Sequence, residues 1–356
     1  MIKHFKKVAI FINTEQLDAS KLNCQVKMNK SFTIKPCSSF DSPSFIITHF
    51  PSQKYVHNQL AVCIVNCALI LPGFFLNMVS VVTFCKSRKL KGKMCFFLIM
   101  LQSLVDLCVV TISIPLFTYL FYAEMVGQVS CTEIFIFSSI ALITGGLSLA
   151  SLCALTFERY IAVLHPITHR NSLTKNKILI YMAVSTVVLF LGVPMATISA
   201  IAYYFAMFFV IGVSLILNTF SYMRIFIAAR KRFASARREN THSQRTDTSL
   251  KIERRRFLQE SKLARSCAIV VFIFYLCYLP GLVLSLYFIQ TDKLVYRIVH
   301  SWYSTSITLN ASINSIIFFW KRPLLRKEAY RVLKIQGIFH MHNVQPHVQF
   351  VGSSQC

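Results

Sequence analysis

Acidic side chains are scarce in this chain of 356 residues: 13 Asp and Glu stand against 38 Lys and Arg. Charge of either sign makes up only 14% of residues, while 55% are hydrophobic. That balance excludes an ordinary soluble domain, in which about a quarter of the residues are charged. The twelve cysteines show no metal-ligand spacing, so no metal centre is expected. No internal repeat is found, which argues against a transporter built from inverted halves. The first 20 residues hold bases but no sustained apolar core. No cleavable signal peptide is therefore expected, and the first long apolar run would act as its own insertion signal. Cys356 ends the chain without a prenylation pattern. No catalytic residues are identified, and no enzymatic activity is expected.

What the chain has in abundance is apolar length. Runs free of charge cover residues 60–84, 94–122 (apart from Asp106), 134–157, 178–223, 267–290 and 298–320. A bilayer core about 30 Å thick needs ~20 apolar residues per helix. The run 178–223 is 46 residues long, enough for two helices joined by a tight turn near residues 198–203. Six runs thus make seven spans. Lys and Arg number 5 between spans 1 and 2, 4 over residues 159–177, 13 over residues 224–265 and 6 after Trp320. The opposite side has only Lys293 and Arg297, so the bases mark the cytosolic side and the N-terminus lies outside. The eight lysines of the N-terminal tail oppose its translocation, but only Lys54 lies close to span 1.

The expected fold class is all-α: an integral membrane bundle of seven transmembrane helices, N-terminus outside, with an amphipathic eighth helix. Residues 1–55 form an irregular extracellular tail, 56–320 the seven-span domain, 321–336 the amphipathic helix and 337–356 a cytoplasmic tail. Leu324, Leu325, Tyr330 and Leu333 recur at helical spacing among bases, the pattern of a helix lying on the inner membrane surface. Residues 230–259 extend helices 5 and 6 into the cytosol. The formal charge of +25 is placed as topology requires and faces anionic lipid headgroups, so nucleic acid is not expected as a partner. Asn29-Lys30-Ser31 is a glycosylation sequon in the outer tail; Asn310-Ala311-Ser312 also fits but falls inside span 7. Met28 is an alternative start. Among the cysteines, only Cys24, Cys37 and Cys131 lie outside, where disulfides form.

Asp106 is the one acid deep within a span. A charge at mid-membrane is costly, so it needs a partner, an ion or a proton. Asn77, Ser148, Asn310 and Asn314 offer oxygens, and an acid with hydroxyl and amide oxygens suits a hard cation such as sodium. Taken singly, each of these residues also reads as helix-packing polar contact. Glu158-Arg159-Tyr160 closes the cytosolic end of span 3. Glu260 starts helix 6 at the same depth, where Arg159 can pair with it, unless Glu260 simply faces solvent.

Taken together, these motifs resemble the rhodopsin-like (class A) G-protein-coupled receptors over about residues 60–334. The helix-1 Asn is matched by Asn77. The helix-2 Leu-x-x-x-Asp signature is read at Leu101-Gln-Ser-Leu-Val-Asp106. The helix-3 acid-Arg-Tyr motif is Glu158-Arg159-Tyr160. Helix 6 carries Cys277-Tyr278-Leu279-Pro280 with Phe274 one turn earlier, and helix 7 carries Asn314-Ser315-Ile316-Ile317-Phe318. Departures are equally specific. Ser315 stands for a Pro, which predicts a weaker kink in helix 7. Phe318 stands for the Tyr whose hydroxyl would meet Tyr222, and Tyr278 for a Trp. Helix 5 has Ser214 for its Pro, and helix 4 lacks a Trp. Cys131 sits three residues farther from Arg159 than the family's disulfide cysteine, and no Cys lies between Cys153 and Cys267 to pair with it. It is expected to be free, or joined to Cys24 or Cys37.

The resemblance implies a ligand pocket lined by Ala141, Leu142, Gly145, Ala206, Met207, Gly281, Leu282, Ser285, Ser304 and Thr308. Ala141 stands where amine receptors carry an Asp and Thr308 where opsins carry the retinal Lys, so neither a biogenic amine nor retinal is expected. The short turn 4–5 and the helix 5 without Pro are similar to the melanocortin, lysolipid, cannabinoid and adenosine receptors. The implied function is a multi-pass plasma-membrane receptor that binds an extracellular ligand and activates a heterotrimeric G protein by movement of helix 6. Glu158, Arg159, Tyr160, Tyr222, Glu260, Phe274, Tyr278 and Pro280 would form the switch. No cofactor is implied apart from an allosteric sodium ion at Asp106, Ser148, Asn310 and Asn314. A non-signalling binding or scaffold receptor is the alternative, and a membrane transporter a third.

Overall fold

The structure is a computed structural model that describes residues 33–36, 46–49, 53–198, 200–242, 265, 267–281, 283–284, 287 and 293–333. Within them the regular structure is helical except for an antiparallel hairpin, β1 (Thr33–Pro36) and β2 (Ile46–His49), paired from Thr33↔His49 to Pro36↔Ile46. This hairpin lies in the tail expected to be irregular, and β2 rests against the outer half of the second helix. The helices are α1 (Gln53–Lys86), α2 (Met94–Met125), α3 (Cys131–Leu164), α4 (Lys175–Ile198), α5 (Ala200–His242), α6 (Cys267–Gly281), α7 (Lys293–Lys321) and α8 (Pro323–Val332).

Helices α1 to α5 are long and apolar enough to cross a membrane, and α6 is a shorter apolar helix. At 29 residues α7 also has the length, about 44 Å at 1.5 Å per residue. Its polar side chains lower its hydropathy, and they are buried: Ser301, Ser304, Thr305, Thr308, Asn310 and Asn314 all face the bundle. By contrast α4 and α5 turn large apolar side chains outward, as at Leu191 and Phe209. The bounds of α4 and α5 leave no room for an outer loop, as the length of their shared apolar run predicts. With 43 residues, about 64 Å, α5 exceeds the bilayer and projects into the cytosol.

Local chemistry sets several boundaries. Pro115 lacks the N–H for a regular turn, and just before it α2 widens into a π-turn over Val109–Ser113. At the outer end of α2, Gly127 adopts φ 71°, and Gln128 N–H reaches back to the Ala123 carbonyl at 2.9 Å. This glycine-dependent C-cap ends α2 cleanly. Three residues later Ser130 and Glu133 form a reciprocal capping box that starts α3. The loop between α2 and α3 is thus tied at both ends by hydrogen bonds. Gly73 permits close approach of α1 to its neighbours, because a Cβ there would collide with Ser312 of α7 and Val110 of α2.

One large apolar cluster joins α2, α3, α5, α6, α7 and α8 through residues such as Leu98, Leu152, Leu155, Phe274, Phe318 and Leu325. Leu325 shows that α8 tucks part of its apolar stripe under the bundle; Tyr330 and Leu333 remain exposed, where a membrane surface would meet them. Buried Glu328 fixes α8 further, accepting from Ser87 Oγ at 2.8 Å at the inner end of α1.

Candidate functional site

Polar side chains line one seam of the bundle, where α1, α2, α3 and α7 meet. At its centre lies Asp106. Its Oδ1 accepts from Gln102 Nε2 at 2.9 Å and its Oδ2 from Asn314 Nδ2 at 3.2 Å. Gln102 stands four residues before Asp106, on the same face. Its Nε2 also donates to Ser148 Oγ at 3.2 Å, and its Oε1 accepts from Ser151 Oγ. Ser148 therefore meets Gln102 rather than the carboxylate. Asn310 is buried beside this cluster on the same face of α7.

Below Asp106, α7 is tied to α1. Asn77 Nδ2 donates to the Ala311 carbonyl at 3.2 Å, and Ser315 Oγ donates to Asn77 Oδ1. The Ser that replaces the family's Pro thus supplies an interhelical hydrogen bond, and α7 runs unbroken through it. Phe318 is buried in the apolar cluster, and the Tyr222 hydroxyl lies 3.2 Å from Thr156 Oγ1 on α3 instead. Above, Tyr278 stacks on Phe274 with ring centroids 4.0 Å apart. Its phenol faces Gly145, where a Cβ would stand 3.6 Å from the oxygen. Tyr275 accepts from Asn218 of α5 at 3.1 Å.

At the cytosolic end Arg159 and Glu158 are ion-paired while only 2% and 1% exposed. The end of α3 is covered, so the weak surface value for an ion pair does not apply to Glu158 and Arg159. His169, on the short helix Pro166–Ser172, lies 3.0 Å from Glu158 Oε1. Tyr160 packs beside Val163 and Ile225. Pro280 is exposed on α6.

The seam closes outside with an ion pair. Arg297 Nη1 lies 3.2 Å from Glu124 Oε1, and both side chains are buried. Tyr55 donates to Glu124 Oε2 at 3.0 Å, and Gln59 donates to Tyr55 at 2.7 Å. Arg297 is therefore no loop residue but part of α7, linking α7 to α1 and α2.

These contacts decide what family the chain belongs to only together with its sequence. The model of the 7 transmembrane receptor (rhodopsin family) matches residues 76–202 and 193–318, more than half of the chain. The chain belongs to the rhodopsin-family seven-transmembrane receptors. No curated protein matches it.

In this receptor the expected pocket residues divide. Gly145 meets Tyr278, Gly281 meets the Tyr303 ring of α7, and Leu142 points towards Gly192 of α4. Ala141 packs beside the outer cluster of Phe117 and Phe137, Met207 against the central one, and Ser304 is buried. Thr308 turns to α1, where Oγ1 donates to Asn66 Oδ1 at 3.1 Å. Leu282, Ser285, Glu260, Asn29, Cys24 and Cys37 lie outside the described residues. Cys131 is disulfide-bonded, which removes the free-thiol alternative.

Sequence reasoning missed Gln102, Glu124, Arg297, Asn66 and Arg322. Counting back four residues from Asp106 finds the first: the signature leucine's place holds Gln102, and Leu101 is one position off that face. Arg322 is buried between α7 and α8, with Nη2 donating to Cys267 Sγ at the base of α6, 3.0 Å away. A base just past an apolar span gives no sequence signal for that placement.

Proposed function

We propose that this receptor binds an extracellular ligand among the outer halves of α3, α5, α6 and α7 and activates a heterotrimeric G protein from the plasma membrane. The buried Glu158–Arg159 pair is the observation that supports this reading. A guanidinium kept out of water beside its own acid is a stored contact that outward movement of α6 would release towards a partner. Tyr278, stacked on Phe274 and facing Gly145, lies between the proposed pocket and that pair, where a ligand would bias its position. A ligand shifts the equilibrium only by its difference in affinity for the two states.

The test is nucleotide exchange on a promiscuous G protein, with the receptor reconstituted in nanodiscs and a broad ligand screen. Arg159→Ala is expected to abolish exchange while ligand binding stays within about twofold, or ~0.4 kcal/mol. Exchange retained by Arg159→Ala would remove Arg159 from the mechanism.

A second reading, a binding receptor that does not signal, is favoured by the contacts of α7. Ser315 is tied to Asn77, and Tyr222 is satisfied by Thr156 rather than by a helix-7 phenol. No ligand-stimulated exchange, together with saturable ligand binding, would support that reading.

A further inference from the structure

An acid, a serine hydroxyl and two asparagines at mid-membrane have the composition of a cation site, and the family resemblance points to sodium. Geometry gives them another use. A cation needs oxygens around it, close enough to replace its water shell. The atom set between Asp106 Oδ1 and Ser148 Oγ is instead the Gln102 amide nitrogen, 2.9 Å from one and 3.2 Å from the other.

The orientation of that amide is set by the Asp106 carboxylate, which accepts and does not donate. Its oxygen accepts from Ser151 Oγ, and Ser151 also contacts the Ser148 carbonyl at 2.9 Å. Turning the amide over would set its oxygen against the carboxylate. On the other side of Asp106, Asn314 presents its nitrogen too, 3.2 Å from Oδ2. Both carboxylate oxygens therefore accept from N–H donors, which repel a cation. Two oxygens of α7, Asn310 Oδ1 and Asn314 Oδ1, have no hydrogen-bond partner among the described residues. These neutral acceptors suit a water molecule, which needs no counter-charge.

We infer that the Gln102 side chain takes the place of the cation in the Asp106 site, so that this receptor is insensitive to sodium and its α2–α3–α7 contact is held by an amide of its own. The inference rests on packing within the bundle, not on signalling. It is therefore read by melting, and loss of G-protein activity would leave it untouched.

The full-length receptor, purified in detergent, is melted in sodium chloride and in choline chloride at equal ionic strength. The natural receptor is expected to melt at the same temperature in both. Gln102→Leu restores the family's leucine and vacates the space beside Asp106. It is expected to gain a sodium-specific rise of about 3 °C, and the added change Asp106→Asn is expected to remove it. Gln102→Met, close in volume and without an amide, serves the same purpose if the leucine variant does not fold. A saturable sodium-specific rise in the natural receptor that Asp106→Asn abolishes would overturn the inference. So would folded Gln102→Leu or Gln102→Met proteins that ignore sodium, because the amide would then not be what keeps the ion out.

Discussion

Helix α7 and the pair α4–α5 cross one bilayer by opposite means. On α7 the polar side chains are buried and the bonds they make run to α1 and α2. On α4 and α5 the described surface is largely apolar and faces out, with Leu191 72% and Phe209 71% exposed. Positional information in this fold is therefore stored in its polar seam. Lipid is as apolar as leucine, so apolarity inserts a helix without telling it which neighbour to choose. Hydrogen bonds and close packing at small residues do that. The seam of α1, α2, α3 and α7 has both, through Asn66, Asn77, Gln102, Asp106, Gly73 and Ser315. Much of α4 and α5 is held by one face only.

The largest loss of stability is expected from stripping the seam at its outer end. Glu124→Ala removes a buried carboxylate from beside Arg297, and it also takes an acceptor from Tyr55. Breaking a buried ion pair by removing one member costs about 3–5 kcal/mol. The melting temperature is expected to fall on the order of 10 °C. A double change, Glu124→Gln with Arg297→Met, is expected to recover part of that loss, because both members of the buried pair are then neutral. A single variant that melts within about 2 °C of the natural receptor would mean the pair is hydrated and the seam ends lower down.

A smaller effect is expected at Ser315→Ala. Its hydroxyl donates across to Asn77, but Asn77 keeps its bonds to the Gly73 and Ala311 carbonyls. Interhelical hydrogen bonds in membranes average ~0.6 kcal/mol and reach ~1.7, so a fall of about 1–4 °C in melting temperature is expected. The signalling assay sharpens the reading. If the Ser315 tie restrains α7, basal nucleotide exchange rises in Ser315→Ala; if exchange is unchanged, the tie is structural only.

These contacts also show what sequence could and could not disclose. The spans and their direction were legible, because apolar length and the placement of Lys and Arg are properties of single segments. Asp106 and the Glu158-Arg159 pair were legible because charge inside or at the end of a span has few explanations. The outer ion pair was not. Glu124 and Arg297 each sit near a span end, where charges are ordinary, and only the packing of α2 against α7 brings them together. Gln102 was hidden by a signature matched one residue out of register. On a helix that error rotates the side chain by about 100°, and so it moved a polar residue off the Asp106 face. The hairpin of β1 and β2 was missed because strands of four residues leave little pattern to read.

The smallest effect is expected on the lipid side, at Leu191→Ala. The side chain is 72% exposed on α4, so truncation removes few protein contacts, and alanine is at least as good a helix former as leucine. Lipid or detergent fills the space that a core cavity would leave open. The change is expected to lie within about 0.5 kcal/mol, or under ~2 °C in melting temperature. The matching control is Leu152→Ala on α3, whose side chain is buried in the central cluster. There the same truncation leaves a cavity and costs about 2–5 kcal/mol. Measured side by side in one detergent and again in nanodiscs, the pair isolates burial from chemistry, because the atoms deleted are identical. If Leu191→Ala loses as much as Leu152→Ala in nanodiscs, the outer face of α4 is a protein contact in the membrane. The contrast with α7 would then be one of partner and not of solvent.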